Sequence, residues 1–352
     1  MSSDVCLVTG GAGFIGCAVS GGLADSYDRV VVLDNLHPQV HAVRERPAAL
    51  DPRVELVVGD VTSGQDWDRL LADLRPTAVV HLAAETGTAQ SLTMSTRHAM
   101  VNVVGTTQML DAFVRHDALP RRVVLASSRA VYGEGAWADA EGRLTYPGQR
   151  SAAMLESGEW DFPGLVATPF ESARVKPTPT SVYGSTKLAQ ENVLSSWCLA
   201  MGVTPVVFRL QNVYGPGQSL TNPYTGIVSL FAQLAKKGES IPVYEDGQII
   251  RDFVFIDDVA AAVLAGLRHQ QGTTDPWDIG SGEATSILRL AELVSEVYGA
   301  PAPHITRQFR NGDVRAASCD IGAATSALGW QPQVMVAEGV ARLCAWLDSR
   351  SA

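Results

Sequence analysis

The chain has 352 residues, of which 46% are hydrophobic and 18% charged, and this composition excludes a chain that is disordered throughout. Its formal net charge of −10 argues against non-specific binding to nucleic acid or to an anionic membrane. No apolar run reaches the ~18 residues of a membrane helix, and the first residues lack the basic region of a secretory signal. Five scattered cysteines predict reduced thiols in a cytoplasmic protein, with neither disulfides nor a metal site.

Short apolar runs alternate with helix-like stretches along most of the chain. Length alone, at about 150 residues per domain, predicts two domains. Predicted strands cover residues 5–9, 30–34, 54–60, 78–84, 123–128 and 203–210, and predicted helices include 65–74, 98–115, 183–200 and 226–237. Because such apolar strands need cover on both faces, the pattern predicts an α/β fold with a doubly wound, parallel Rossmann sheet.

Residues 134–180 interrupt this alternation with a stretch rich in glycine, proline, serine and alanine. A stretch of this composition could link two domains. We favour an ordered insertion near the mouth of an active site, because the motifs on either side of it belong to one site.

A glycine-rich turn follows the first strand. Gly10, Gly13 and Gly16 are spaced G-x-x-G-x-x-G and open a predicted helix, whose free N–H groups suit a pyrophosphate. Asp34 ends the second strand, where a carboxylate accepts hydrogen bonds from ribose hydroxyls and repels a 2′-phosphate. The spacing therefore predicts a dinucleotide site that prefers NAD to NADP, with Asp60–Val61 at the end of the third strand as a candidate contact for the adenine.

Tyr183 and Lys187 stand four residues apart and share one face of the predicted helix. A nearby ammonium stabilises a phenolate and lowers the tyrosine pKa from about 10, so Tyr183 can act as a base, while Lys187 can also bind the nicotinamide ribose. Ser128, at the end of the fifth strand, can bridge the substrate oxygen and the tyrosine hydroxyl. Taken singly, the same residues suit a solvated helix face and a strand-end cap.

The motifs recur in the order typical of one superfamily. The chain resembles the extended short-chain dehydrogenase/reductases, in the branch of nucleotide-sugar epimerases and dehydratases. The matching stretches are Thr9–Gly16, Asp34–Asn35, Gly59–Val61, His81–Ala84, Asn102–Thr106, Ser127–Gly133, Tyr183–Lys187, Arg209–Pro216, Arg251–Val259 and Leu328–Trp330. The resemblance implies NAD bound by an N-terminal Rossmann domain and a nucleoside-diphosphate (NDP) sugar bound by a smaller C-terminal α/β domain.

The same resemblance implies the domain limits and the assembly. The NAD-binding domain is expected to cover residues 1–185 and to receive about 203–215 and 251–280. The substrate-binding domain is expected to cover 216–250 and 281–352. A homodimer is expected to form through the helices at 99–115 and 183–200.

The resemblance also implies further ligand contacts. Asn212, Arg251 and Arg310 match ligands of the substrate diphosphate, and two guanidinium groups suit a diphosphate. Further cofactor contacts are expected from Phe14, Ile15, Asn35, Leu82, Ala83, Ala84 and Asn102. Further substrate contacts are expected from Thr86, Thr88, Ser128, Arg129, Gln218 and Tyr244.

The two residues after Ser128 bear on the type of reaction. Dehydratases of this branch carry an Asp-Glu pair there, whereas this chain has Arg129 and Ala130, neither of which is a carboxylate acid or base. Dehydration is therefore disfavoured. The predicted reaction is 4-epimerisation, by oxidation to a 4-keto sugar and return of the hydride to its opposite face.

Residues 85–91, 127–135 and 211–226 are most similar to the dTDP-L-rhamnose 4-epimerase group, which makes dTDP-6-deoxy-L-talose. A UDP-hexose or UDP-glucuronate 4-epimerase is the main alternative, because Arg129 could pair with a sugar carboxylate. An NDP-sugar reductase, a decarboxylase and a non-catalytic NAD-binding regulator are further alternatives.

Overall fold

A parallel sheet forms the centre of the molecule in the computed structural model, which describes residues 4–219, 226–269 and 275–350. Within these residues the sheet has seven strands: β1 Val5–Thr9, β2 Arg29–Asp34, β3 Glu55–Val58, β4 Ala78–His81, β5 Arg122–Ser128, β9 Thr204–Leu210 and β14 Trp277–Ile279. Their order across the sheet is β14-β9-β5-β4-β1-β2-β3, and every pairing between neighbours is parallel.

Helices cover both faces of this sheet, as the apolar strands require. In β1, Val5 and Leu7 belong to one hydrophobic core, and Cys6 and Val8 belong to the other. The helices are α1 Phe14–Ser26, α2 Gly64–Leu71, α3 Thr88–Thr93, α4 Ser95–Ala99, α5 Gly105–Arg115, α6 Ala152–Ser157, α7 Val182–Met201, α8 Ile227–Lys236, α9 Ile256–Arg268, α10 Ile287–Tyr298, α11 Gly322–Leu328 and α12 Val336–Ser349. The predicted α/β, doubly wound fold is confirmed.

A smaller set of strands stands beside the main sheet. β10 Asn212–Tyr214 pairs with β13 Phe253–Phe255, and β11 Pro242–Val243 pairs with β16 His304–Ile305. β12 Ile250–Arg251 lies between β15 Thr285–Ser286 and β17 Ala316–Ala317. Helices α8, α10 and α12 pack around a third hydrophobic core next to these strands. The predicted domain boundaries themselves stay a prediction.

The insertion at 134–180 is folded. Its strands β6 Trp137–Ala138, β7 Leu144–Thr145 and β8 Val166–Ala167 form a small antiparallel sheet. Two ion pairs join it to the smaller set of strands: Arg150 binds both carboxylate oxygens of Glu245 at 2.8 Å in a buried pair, and the buried Arg315 binds the exposed Asp161 at 2.8 Å. The insertion is therefore part of the packed structure, held by charges as well as by apolar contacts.

Some predicted elements have different ends. The predicted helix 98–115 begins earlier, with α4, and contains a π-helical stretch, Met100–Val104, before α5. Strand β3 ends before the predicted 54–60 does, because the Asp60 amide donates to Asp66 Oδ2 at 2.9 Å rather than to a neighbouring strand. Helix α2 ends at Leu71, whose carbonyl accepts a hydrogen bond from Arg75.

Candidate functional site

The turn between β1 and α1 has the close approaches that require glycine. Gly10 has a φ of +67°, and a Cβ there would lie 2.6 Å from the backbone nitrogen of Ala83. A Cβ on Gly16 would lie 2.3 Å from the carbonyl oxygen of Gly11. Gly13 precedes α1 without a side-chain cap, so backbone N–H groups of the first turn are left for a ligand. This turn fits the pyrophosphate of a dinucleotide.

Asp34 has a second role that the sequence did not reveal. Its Oδ2 accepts a hydrogen bond from the Ala12 amide at 3.0 Å, and its Oδ1 accepts one from the Leu36 amide at 2.9 Å. The carboxylate therefore holds the glycine turn as well as facing the cleft beside it. Its remaining lone pairs suit the ribose hydroxyls of NAD.

A cleft of about 720 Å³ runs along the carboxyl ends of the strands, where dinucleotides bind in sheets of this kind. The predicted residues that line it are Gly10, Gly13, Phe14, Ile15, Gly16, Asp34, Asn35, Val61, Leu82, Ala83, Ala84, Thr86 and Gln218. His37, His41 and Arg97 also line it, and sequence reasoning missed them. Arg97 pairs with Glu85 and lies 3.0 Å from His37 Nε2, so contacts distant in sequence build this wall.

Asp60 and Asn102 stand behind the wall of the cleft. Asp60 accepts hydrogen bonds from Asn35 Nδ2 at 2.9 Å and from Thr62. Asn102 is fully buried: its oxygen accepts from the Glu85 amide at 2.8 Å, and its nitrogen donates to the Glu85 carbonyl and to Thr186 Oγ1, each at 3.0 Å. Both residues hold loops that face the cleft, and a direct contact with NAD stays a prediction for each.

Ser128 and Tyr183 are brought together by a tight approach of two elements. A Cβ on Gly184 would lie only 2.3 Å from the carbonyl oxygen of Ala130, so this glycine lets the start of α7 meet the turn that follows Ser128. Ser181 caps the helix by accepting a hydrogen bond from the Gly184 amide at 3.0 Å. The hydroxyl groups of Ser128 and Tyr183 lie within hydrogen-bonding reach of each other. The glycine after Tyr183 is thus part of the site's construction.

Burial dominates the electrostatics of the tyrosine–lysine pair. It raises the pKa of Tyr183, while the hydrogen bond with Ser128 and the charge of Arg129 act in the opposite direction. Burial lowers the pKa of Lys187 to about 7, against the effect of Glu191. The ammonium bonds to the side-chain oxygen of Gln190, a residue that no motif singled out.

Basic side chains gather beside Ser128. Arg129 donates its Nε proton to Asn212 Oδ1 over 2.6 Å, and burial followed by the charge of Arg251 lowers the pKa of Arg129 to about 9. Arg251 is buried and donates to Asp313 Oδ1 at 2.6 Å. The cluster of Arg129, Arg251 and Asn212 therefore gives the positive potential and the polar groups that a sugar diphosphate requires.

The other predicted substrate residues are more scattered. Arg310 lies over the Tyr244 ring, 5.2 Å from its centroid. Gln218 accepts a hydrogen bond from Ser229 at 3.2 Å in the wall of the large cleft. Thr88 begins α3, after the cleft residue Thr86. Their substrate contacts stay predictions, and residues 220–225 of the stretch 211–226 lie outside the described residues.

Among the described residues, no group of three or more His, Cys, Asp or Glu side chains is placed to hold a metal ion. In the same part of the chain, each helix is too short or too polar to cross a membrane. All five cysteines are free thiols.

Comparison with known proteins assigns the site to a family. A model of the NAD dependent epimerase/dehydratase family matches residues 6–153 and 161–280. The dTDP-L-rhamnose 4-epimerase of Burkholderia thailandensis is 56% identical over 341 residues, covering 97% of this chain and 94% of that protein. These matches confirm the predicted resemblance and the prediction of an NAD-dependent enzyme with the chemistry of an NDP-sugar 4-epimerase.

Two solved structures of UDP-glucose 4-epimerases share this fold over nearly the whole chain. The UDP-glucose 4-epimerase of Thermotoga maritima, with UDP-glucose, has a TM-score of 0.81 at 27% identity and covers 99% of this chain and 100% of that one. The UDP-glucose 4-epimerase of Thermus thermophilus, in complex with NAD, has a TM-score of 0.76 at 26% identity and covers 98% and 99%. With its glycine turn, its Asp34 carboxylate and its buried tyrosine–lysine pair, the chain belongs to the NAD dependent epimerase/dehydratase family.

Proposed function

We propose that the protein interconverts dTDP-L-rhamnose and dTDP-6-deoxy-L-talose by epimerisation at C4. The relative from Burkholderia thailandensis, at 56% identity over nearly the full length, is a dTDP-L-rhamnose 4-epimerase and supports this choice of sugar. UDP-hexose and UDP-glucuronate are the alternative substrates.

The residues of the site supply the proton chemistry of this reaction. When bound, NAD accepts the C4 hydride and gives it back. Tyr183 takes the proton of the 4-hydroxyl as the C4–H bond breaks and later returns that proton to O4. Ser128, whose hydroxyl lies within hydrogen-bonding reach of that of Tyr183, is placed to bond the same oxygen. The proposed role of the Lys187 ammonium is to stabilise the phenolate. Hydride and proton are both returned, so the reaction has no net oxidation.

The turn after Ser128 is the observation that favours epimerisation over dehydration. Elimination of water from the sugar needs an acid and a base near C5 and C6. Arg129 follows Ser128 directly and is hydrogen-bonded to Asn212, and Ala130 has no titratable group. Without those carboxylates, the 4-keto sugar is left to turn in the site and to take the hydride back on its other face.

Binding of the nucleotide diphosphate is assigned to the basic side chains. Arg251 and Arg129 lie close enough for the Arg251 charge to lower the Arg129 pKa. This repulsion favours an anion between or beside them, because a diphosphate relieves it. Arg310 and Tyr244, already packed together, are the proposed contacts for the outer phosphate and the base.

The test is incubation of the purified protein with dTDP-L-rhamnose, UDP-glucose and UDP-glucuronate in separate reactions, analysed by NMR. We expect a C4 epimer from dTDP-L-rhamnose, at a higher kcat/KM than from either UDP-sugar. Turnover of a UDP-sugar alone would favour the alternative substrates. Net formation or consumption of reduced cofactor would indicate a reductase or a decarboxylase. Folded, NAD-bound protein that converts none of the sugars would indicate a regulator.

We further propose a cytoplasmic homodimer with the domain boundaries given above. Exposed apolar side chains on the two helices expected at the interface support the dimer: Met100 is 44% exposed, Val114 51% and Leu199 64%. Light scattering coupled to gel filtration measures the mass, and Leu199→Glu is expected to shift it toward that of a monomer.

A further inference from the structure

A buried chain of polar groups starts at Lys187 and leads into the centre of the molecule. Gln190 lies one turn after Lys187 on α7 and is fully buried. Its oxygen accepts a hydrogen bond from the Lys187 ammonium. Its nitrogen donates to Thr106 Oγ1 at 2.8 Å and lies 3.0 Å from His81 Nε2. The amide therefore joins the lysine of the site to groups on β4 and α5.

The surroundings fix which way the Gln190 amide points. The Thr106 hydroxyl donates its proton to the Asn102 carbonyl at 2.7 Å, so its oxygen is left as an acceptor, with Gln190 Nε2 at 2.8 Å and His81 Nε2 at 2.9 Å. The amide nitrogen thus belongs on the side of Thr106, and the oxygen faces Lys187. The opposite orientation would set the amide N–H groups against the Lys187 ammonium, which has no acceptor to offer them.

The titratable groups around the Lys187 ammonium do not disrupt its hydrogen bond to Gln190. His81, from β4, is neutral near pH 7, because burial and then the charge of Lys187 lower its pKa to about 3. Glu191, on the helix of Lys187, is already bonded to Arg209 at 2.8 Å and to Ser127. Tyr183 is the remaining titratable neighbour in the motif. The uncharged amide oxygen of Gln190 is the hydrogen-bond acceptor of the ammonium.

We propose that Gln190 is a positioning residue for Lys187: its amide oxygen fixes one N–H of the ammonium and leaves the other two for the cofactor ribose and the tyrosine. This role rests on the proposed function, because it matters only if Lys187 serves oxidation at C4. Gln190 touches neither the reacting atoms nor the cleft, and it acts through the lysine.

Loss of the Gln190 acceptor oxygen is expected to lower the pKa of Lys187. A buried ammonium without its hydrogen bond is harder to keep charged, so the Lys187 pKa falls. Activity that needs the charged lysine is then lost at a lower pH. A hydrogen bond to a charged group is worth roughly a 10- to 100-fold change in an equilibrium or a rate, which corresponds to a shift of about one to two pH units.

The experiment compares Gln190→Met, which keeps the size but has no acceptor, with Gln190→Glu, which keeps an acceptor oxygen. We expect Gln190→Met to lower kcat about 10- to 100-fold, with a smaller change in KM, and to move the basic limb of the pH profile down by about one unit. Gln190→Glu should leave that limb at or above its wild-type position. Wild-type kcat and pH profile in Gln190→Met would overturn the proposal, as would equal losses in both variants without a shifted limb.

Two further variants guard against a purely structural effect. Thr106→Val removes the hydroxyl that orients the amide and leaves Gln190 and Lys187 unchanged, so we expect a smaller shift in the same direction. Gln90→Met is the matched control, because Gln90 is a buried glutamine whose amide bonds Gln39 at 3.0 Å and does not contact Lys187. Its pH limbs should stay at the wild-type positions, and a shift equal to that of Gln190→Met would contradict the proposal.

A binding measurement separates this proposal from the choice of reaction. Titration calorimetry of NAD binding at a series of pH values reports the charge state of Lys187 without any sugar present. We expect the affinity of Gln190→Met to begin its fall at a lower pH than that of the wild type. Identical pH dependence would refute the positioning role even if the enzyme is active. A wild type that converts no sugar but shows the shift would refute only the proposed function.

Discussion

Gly184→Ala is the substitution that most directly tests how the proposed catalytic groups, Ser128 and Tyr183, are assembled. The added Cβ would lie 2.3 Å from the Ala130 carbonyl oxygen, whereas ordinary contact begins at 3.4 Å. The start of α7 must therefore move away from the Ser128 turn by about 1 Å. A displacement of about 1 Å in catalytic geometry costs on the order of 100-fold in rate, and we expect a fall of that size in kcat.

The control is Gly21→Ala in α1. Its Cβ would meet only the Asp51 carboxylate, at 3.5 Å, and alanine has the higher helix propensity in both helices. Epimerisation is followed by NMR, and folding by circular dichroism and thermal unfolding. We expect Gly21→Ala to keep its kcat. A folded Gly184→Ala variant with kcat within twofold of the wild type would refute the claim that this approach positions Tyr183 against Ser128.

Three other outcomes follow from the structure. Asp34→Ala removes both a ribose acceptor and the partner of the glycine turn, so calorimetry should show NAD affinity lower by about tenfold or more and a weaker preference over NADP. Burial lowers the Lys187 pKa to about 7. Above that pH the lysine is protonated in the unfolded chain but not in the folded one, so the free energy of unfolding rises with pH. Lys187→Met should flatten this rise, as measured by denaturant unfolding at a series of pH values. Arg150→Met breaks the buried pair with Glu245 and should lower the free energy of unfolding in urea by about 3 kcal/mol. Arg143→Met, in an exposed pair of the same insertion, is the control and should cost under about 1 kcal/mol.

Features set by neighbours in sequence were predictable. The glycine turn, Asp34 at a strand end and the Tyr183–Lys187 spacing each depend on one strand or one helix. Apolar runs predicted the parallel sheet, because strands buried on both faces carry no alternation. Strand ends then predicted which side of the sheet holds the site.

Features set by distant partners were not predictable. Arg150 and Glu245 are 95 residues apart, and nothing local to either predicts a buried pair. Gln190 lies on a helix whose apolar pattern reports burial but not the lysine that its oxygen contacts. Asn102 was expected at the cofactor, and nothing local to it predicts that its amide also bonds to Glu85 and Thr186. The periodicity of apolar residues shows that a residue is buried, but it does not show which residues bury it.

The central claim, transient oxidation at C4, is tested most directly with dTDP-L-rhamnose carrying deuterium at C4, converted in ordinary water. Return of the same hydride predicts that the C4 epimer keeps the deuterium and that kcat falls with the label. A product that has exchanged its C4 deuterium for solvent hydrogen would contradict the account, because it would show removal of C4–H as a proton.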